Sequence, residues 1–272
     1  MSQQYETILV SAEDGVGRIV LNRPKVLNAI NGLMVREVSE ALGQLELDKS
    51  VRAIVLSAEG RAFCAGFDFK DFGEREYDDL SDRLSSLEVG FNFIMQFWDC
   101  RKPTISAVHG YCLAGGMELA LACDLTIASR DAMFGEPEVR FGGSILVMLV
   151  PWIVGPKHAK DILLTGDDRI PAERAGAVGL VTEVVDEGLH ITRALQKARE
   201  IASASPLSVA LTKRAINRGF DIRGMRAALQ AAADAEIIIE TSGTPERKEF
   251  SRIQKERGLK DAIAWRDARY RS

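Results

Sequence analysis

The sequence predicts an α/β protein, a mainly parallel sheet with crossover helices followed by a wholly helical region. Three observations carry this. Short, continuous apolar runs at 53–57 (AIVLS) and 104–108 (TISAV) read as strands buried on both faces. Helical patterns lie between such runs, and strands alternating with helices call for crossover connections. After Pro206 the sequence holds helical patterns only.

The elements follow in order. Residues 8–10 and 18–21 read as short strands joined by a turn at Glu13-Asp14-Gly15. Residues 31–47 read as a helix, with Leu33, Glu37, Ala41 and Leu45 at helical spacing. The strand at 53–57 leads into a loop-like stretch, 60–72. Leu84, Leu87, Phe91, Ile94 and Trp98 then mark one face of an amphipathic helix that ends before Pro103. The strand at 104–108 is followed by a turn at 110–116, a short helix at 117–122 and a strand at 125–128. Ser205 can cap the next helix with Pro206 at its first position, and Thr244-Pro245-Glu246 repeats that signal. The reading divides the chain into an α/β core, 1–200, and a C-terminal helical region, 201–272.

Composition bounds the function. A formal net charge of −4 gives no global basic field to attract nucleic acid or an anionic membrane. No apolar stretch approaches the roughly 20 residues that span a bilayer, and the polar start, Met1 to Tyr5, has no signal-peptide core. Cys64, Cys100, Cys112 and Cys123 form no CxxC pair, and with three histidines a zinc site is not expected. Free thiols predict a reducing compartment, the cytoplasm.

Two junctions stand out as candidate chemistry. Arg61-Ala62-Phe63-Cys64-Ala65-Gly66-Phe67-Asp68-Phe69-Lys70 follows the strand at 53–57. His109-Gly110-Tyr111-Cys112-Leu113-Ala114-Gly115-Gly116-Met117-Glu118 follows the strand at 104–108. Both lie past the carboxyl ends of parallel strands, where ligands gather in open α/β sheets. Gly115 and Gly116 open a helix whose free N–H groups and dipole favour developing negative charge, so a backbone N–H there can serve an oxyanion hole. Close helix-on-strand packing explains the same glycines equally well. Glu118 sits in an apolar run (Met117, Leu119, Ala120, Leu121, Ala122), where a carboxylate is costly unless paired or functional. A helix-dipole role is the competing reading. Glu138 follows Phe134-Gly135-Glu136-Pro137, and acids in such a loop ordinarily face solvent. Two glutamates from separate loops can nevertheless share a water and a proton.

Taken together, these pieces resemble the crotonase (enoyl-CoA hydratase/isomerase) family over nearly the whole chain. The matching text is Asn22-Arg23-Pro24-Lys25-Val26-Leu27-Asn28-Ala29, Ala62-Phe63-Cys64-Ala65-Gly66-Phe67-Asp68, Ala114-Gly115-Gly116-Met117-Glu118-Leu119, Cys123-Asp124, Phe134-Gly135-Glu136-Pro137-Glu138, Leu164-Thr165-Gly166, Ala175-Gly176-Ala177-Val178-Gly179-Leu180-Val181 and the charged helix around 246–257. The resemblance implies a spiral of ββα repeats with a C-terminal helical trimerisation region, trimers that often pair into hexamers, and coenzyme A thioester substrates. It matches Phe67 and Gly115 to the oxyanion-hole positions and Glu118 and Glu138 to the two catalytic glutamates. Lys25, Val26, Ala29, Ala65, Asp68 and Phe69 match positions around the coenzyme A moiety. Coenzyme A is then part of the substrate, and no separate cofactor or metal is implied. The implied reaction is addition of water across a 2-enoyl-CoA double bond, with the thioester enolate held by the two N–H groups.

One stretch departs from the family pattern. Where hydratases carry a Pro-Gly-Ala-Gly-Gly-like segment, residues 139–149 read VRFGGSILVML, about three residues shorter by comparison with the family pattern. The change leaves a double-bond isomerase, or a thioester or β-diketone hydrolase, as alternatives within the family. Arg140 is read as a surface cation, with contact to a polar acyl group as the alternative. Outside the catalytic classes, the alternative is a non-catalytic acyl-CoA- or RNA-binding member, against which the acidic balance and the retained glutamates both count. A serine-protease-like chemistry lacks a Ser–His–Asp set, since Gly142-Gly143-Ser144-Ile145-Leu146 is no GxSxG elbow. His109, His158 and His190 are poor catalytic candidates, with His109, before Gly110 at a strand end, read as a packing or capping residue, and Cys64 lacks an activating base.

Overall fold

The large sheet is laid down one strand per turn of a spiral, and the small sheet grows beside it. The computed structural model describes residues 5–73 and 79–270. The polar start Met1–Gln4 and the last two residues of the charged tail lie outside that range.

The large sheet contains β1 (Ile8–Glu13), β2 (Val16–Leu21), β3 (Ala53–Ala58), β5 (Thr104–Val108), β7 (Leu125–Ser129) and β10 (Glu183–Val185), in the order β1-β2-β3-β5-β7-β10. The β1–β2 hairpin is antiparallel, and every later pairing in this sheet is parallel. The small sheet contains β4 (Ala62–Cys64), β6 (Tyr111–Leu113), β8 (Met133–Gly135) and β9 (Ile170–Pro171). Successive large-sheet strands β3, β5 and β7 are each followed at once by a small-sheet strand. Helices α2 (Leu80–Asp99) and α3 (Gly115–Ala122) then return the chain to the large sheet. This is the spiral of ββα turns that the resemblance implies.

Strand periodicity explains the layering. Ala53 and Val55 face one side of the large sheet, Ile54 and Leu56 the other. The first pair joins Ile105, Ala107 and Ile127 beneath Ala194 and Ala198 of a covering helix, His190–Ala202. The second pair enters the main core with Phe63, Phe93, Phe97 and Met117. Helix α1 (Gly32–Leu47) opens on an Asn31 cap, whose side chain accepts from the Met34 N–H at 2.9 Å.

The loop-like stretch expected at 60–72 contains β4 and a single wide turn, Phe69–Gly73; the turn expected at 110–116 contains β6. Three-residue strands show no periodicity of their own. They are strands because β4, β6 and β8 pair with one another.

From Pro206 onward the described chain is helical through Ala268. Lys213 of the helix Pro206–Ile222 reaches back to the core, its Nζ 2.7 Å from Asp124 Oδ2, and also donates to the carbonyls of Phe97 and Lys102. Met225, Leu229 and Ala233 of the next helix, Met225–Ser242, are buried in the main core.

Candidate active site

Helix α3 is enclosed on every side; all eight of its residues are buried. Its far end is fixed by two hydroxyls: Ser106 Oγ and Thr126 Oγ1 both donate to the Ala120 carbonyl, at 3.0 and 3.1 Å. Such a bond satisfies a helix-end acceptor that has no intrahelical partner. Its near end is fixed by backbone. Ala114 caps the helix at φ 56°, ψ −137°, a conformation that costs a non-glycine residue about 1–3 kcal/mol. It is held there by its N–H bond to the Gly135 carbonyl at 2.8 Å.

The two sequence junctions meet at this point. Gly66 lies at φ +96°, and a methyl added to it would fall 2.7 Å from Ala114 Cβ and 3.3 Å from the Gly115 nitrogen. Only glycine permits that approach. The Phe67 ring lies across Gly115, where an added methyl would sit 2.7 Å from the ring edge. On its other side the ring reaches Gly90 of α2, beside Leu146. Phe67 itself is bridged to Ile30. The structure thus brings Phe67 and Gly115 together, with Gly115 at the first helical position.

Around them stand most of the remaining predicted residues. Lys25 and Val26 form an exposed turn, Pro24–Val26. The Ala65 N–H bonds to the Leu27 carbonyl at 3.0 Å, and Asp68 pairs with Arg23 at 3.0 Å while Arg23 also bonds the Ala29 carbonyl. Buried Asn28 stitches these loops. Its amide donates to the carbonyls of Glu59 and Ala62, both at 2.8 Å, and accepts from the Arg23 N–H at 2.7 Å. The Phe69 ring packs at 5.9 Å on Phe141 and 5.8 Å on Phe250.

Glu118 lies one turn into α3 and is 2% exposed. Its Oε1 accepts from the Val147 N–H at 3.0 Å, while Oε2 meets no hydrogen-bond partner among the described residues. Glu138 opens the short turn Glu138–Phe141 and is 9% exposed. Burial pushes both carboxyls well above the ordinary glutamate range. The Glu138 charge raises Glu118 further, while the Val147 N–H pulls it back. Two such groups hold a proton near neutrality, which suits acid/base work.

The reading of 136–138 as a solvated loop is corrected here. Glu136 is fully buried (0% exposed), its N–H bonded to the Asp167 carbonyl at 3.0 Å. Arg140 is likewise neither a free surface cation nor aimed at the site. Its Nη1 pairs with Asp168 at 3.0 Å and its Nε donates to the Thr165 carbonyl at 2.9 Å. Arg266 reaches the other Asp168 oxygen at 2.7 Å, so one aspartate ties the Glu138 turn to the C-terminal helix Leu259–Ala268.

Cys64, His109 and His190 have structural surroundings. Cys64 is buried and its thiol is pushed up to about 12 by desolvation, leaving no thiolate for chemistry. His109 Nε2 lies 2.8 Å from the Gly60 carbonyl, and its ring packs at 4.8 Å on His190. Among the described residues no cluster of three metal-binding side chains occurs, and no helix is long and apolar enough to cross a membrane.

The profile of the enoyl-CoA hydratase/isomerase family matches residues 11–259. The chain belongs to the enoyl-CoA hydratase/isomerase family. A probable enoyl-CoA hydratase of Rhizobium meliloti is 40% identical over 225 residues, covering 80% of this chain and 84% of the relative. The short-chain-enoyl-CoA hydratase of Clostridium acetobutylicum is 34% identical, with 79% and 83% covered. Among solved structures, an enoyl-CoA hydratase/isomerase from Xanthobacter autotrophicus Py2 superposes with a TM-score of 0.95 at 46% identity, covering 99% of this chain and all of that one.

Beside the candidate site, Glu136 is the buried acid that the sequence alone does not single out. A signal was present: Phe134 and Glu136 are two residues apart in an extended segment and so share a face, and Phe134 is a core residue.

Proposed function

We propose that this enoyl-CoA hydratase/isomerase family member is a hydratase that adds water across the 2,3 double bond of a 2-enoyl-CoA thioester. The observation that carries the reading is the convergence of two buried glutamates of raised proton affinity, Glu118 and Glu138, able to share one proton near neutrality, with the N-terminus of α3. The relatives at 34–40% identity that are named enoyl-CoA hydratases point the same way.

In this reading the N–H groups of Phe67 and Gly115 polarise the thioester carbonyl and hold the enolate oxygen. Glu118, ionised, takes a proton from water as the oxygen attacks C3. Glu138, protonated, delivers its proton to C2. The proton gained by Glu118 then passes to Glu138, restoring the starting state with no net change in the pair. Coenzyme A enters as part of the substrate and no further cofactor is called on. Lys25, Val26, Ala29, Ala65 and Asp68 line its approach, with exposed Lys25 offering a cation to phosphate, and Phe69 shapes the approach from the Phe141–Phe250 side.

The same reading makes the enzyme a cytoplasmic homotrimer or dimer of trimers. Exposed Leu207, Leu211, Ile216, Ile222 and Ile238 on the C-terminal helices supply apolar surface for assembly, and the four buried free thiols suit a reducing compartment. Incubation with 2-enoyl-CoA thioesters of graded chain length, read by mass spectrometry, tests the reaction. Hydration adds one water to the product mass; an unchanged mass with a moved double bond means isomerisation, and release of free coenzyme A means hydrolysis.

A further inference from the structure

Glu136 has no part in the mechanism above, yet it is the most deeply buried acid beside it. Its side chain is fully enclosed, and neither carboxyl oxygen meets a hydrogen-bond donor among the described residues. The backbone gives it no way out. Its N–H is bonded to Asp167, and a methyl on the preceding Gly135 would fall 2.3 Å from Asp168 Cα. The side chain is therefore pinned into the interior by contact on the β8 edge.

The groups that face it are Glu138, Glu118 from α3 and the Cys112 thiol from β6. None of these is a cation. An ionised carboxylate so placed, without donor or counter-charge, costs several kcal/mol, and taking up a proton removes the cost. Burial first, then the charges of Glu138 and Glu118, hold that proton on Glu136. A protonated carboxyl is a donor, and the acceptor within its reach is the Glu138 carboxyl. Glu138 is otherwise faced by Glu236 from helix Met225–Ser242, which opposes its ionisation, and by Arg266 from helix Leu259–Ala268, which favours it.

We infer that Glu136 is a third, neutral carboxyl of the site, a positioning residue that donates a hydrogen bond to Glu138 and steadies the negative charge Glu138 gains on protonating C2. In that step the Glu138 O–H bond breaks, the C2–H bond forms, and the proton of Glu136 stays on Glu136. The catalytic half of the inference rests on the hydratase reading; the neutral, donating carboxyl does not.

The experiment therefore has two parts. Infrared difference spectra at neutral pH, parent against Glu136→Gln, read the C=O stretch of a protonated carboxylic acid whatever reaction the enzyme performs. The band is expected in the parent and lost in the variant; a carboxylate band in its place overturns the inference while leaving the hydratase reading intact. In parallel, kcat and KM for a 2-enoyl-CoA are followed against pH for Glu136→Gln, which keeps a donor, and Glu136→Leu, which does not. Glu136→Leu should lose at least roughly tenfold in kcat with KM little changed, and its alkaline limb should move to higher pH, because Glu138 without its donor ionises less readily. Glu136→Gln should recover most of the loss and return the limb. Equal loss in both variants, or unmoved profiles, contradicts the donor role. If Glu136→Leu does not fold, the infrared band decides alone.

Discussion

The Val147 N–H donates to Glu118 Oε1 at 3.0 Å, so the segment that departs most from the family pattern is bonded directly to a glutamate of the candidate site. Residues 142–149 carry no long regular element in this stretch, yet they hold Glu118 through main chain rather than side chain. Replacing Val147 by proline removes the donor. A hydrogen bond to an ionised group contributes about 1.5–3 kcal/mol, so the Glu118 carboxyl should rise by about 1–2 pH units. As Glu118 acts in its ionised form, the acidic limb of the kcat profile should move upward with it. A profile identical to the parent's would show that this bond does not tune the base.

Buried acids cost stability at high pH. Glu118 and Glu138 bind protons more tightly folded than unfolded, so the stability they contribute is present at low pH and lost as pH rises through their raised folded values. Glu118→Gln, which never ionises, escapes that loss. Its melting temperature should exceed the parent's by several degrees at pH 8.5, and the gap should shrink at pH 5. Thermal unfolding at the two pH values measures it; a gap that ignores pH would mean that Glu118 binds its proton no more tightly in the folded chain than in the unfolded one.

The Phe67 ring spans the space between Gly115 and Gly90, with Leu146 beside it. That closes the wall next to the candidate oxyanion hole and predicts a short acyl group. Phe67→Ala keeps the backbone donor and removes the wall. The ratio of kcat/KM for an eight-carbon over a four-carbon enoyl-CoA should rise roughly tenfold or more, since a single methylene in an apolar pocket is already worth about 10-fold. An unchanged ratio would place the acyl chain elsewhere.

Lys213 and Asp124 join the C-terminal helices to the core by an ion pair at 2.7 Å, buried on the Lys213 side and half-buried at Asp124. Removing one partner strands the other charge, which typically costs about 3–5 kcal/mol. Lys213→Met should therefore lower the denaturation midpoint strongly, and the double variant with Asp124→Asn should regain part of it. Independent, additive losses would mean the two residues are not coupled.

Much of this was legible in the sequence for definite reasons. Strands β3 and β5 are continuous apolar runs, so their burial could be read directly. Helix α2 carries its periodicity over several turns. Gly115, Gly116 and Glu118 stood out because a glycine pair and an acid are unusual neighbours in an apolar run. Strands β4, β6 and β8 were not legible, since three residues define no period and only their mutual pairing makes them a sheet. Arg140 looked like a surface cation because its partners, Asp168 and Thr165, lie more than twenty residues away. Glu136 was hidden by composition: Glu-Pro-Glu after glycine reads as solvent-facing loop, and the contacts that enclose it come from segments distant in sequence, Asp167–Asp168 against its backbone and Glu118 and Cys112 facing its carboxyl.

The central claim is that Glu118 and Glu138 together add water to a 2-enoyl-CoA. The direct measurement is turnover of such a thioester in water enriched in oxygen-18, for the parent, Glu118→Gln and Glu138→Gln, with folding checked by circular dichroism. The parent should yield a 3-hydroxyacyl thioester carrying one heavy oxygen, and each variant should be slower by roughly 10²–10⁴-fold, the usual contribution of a general acid or base. A folded Glu118→Gln enzyme that incorporates heavy oxygen at the parent's rate would contradict the two-glutamate account.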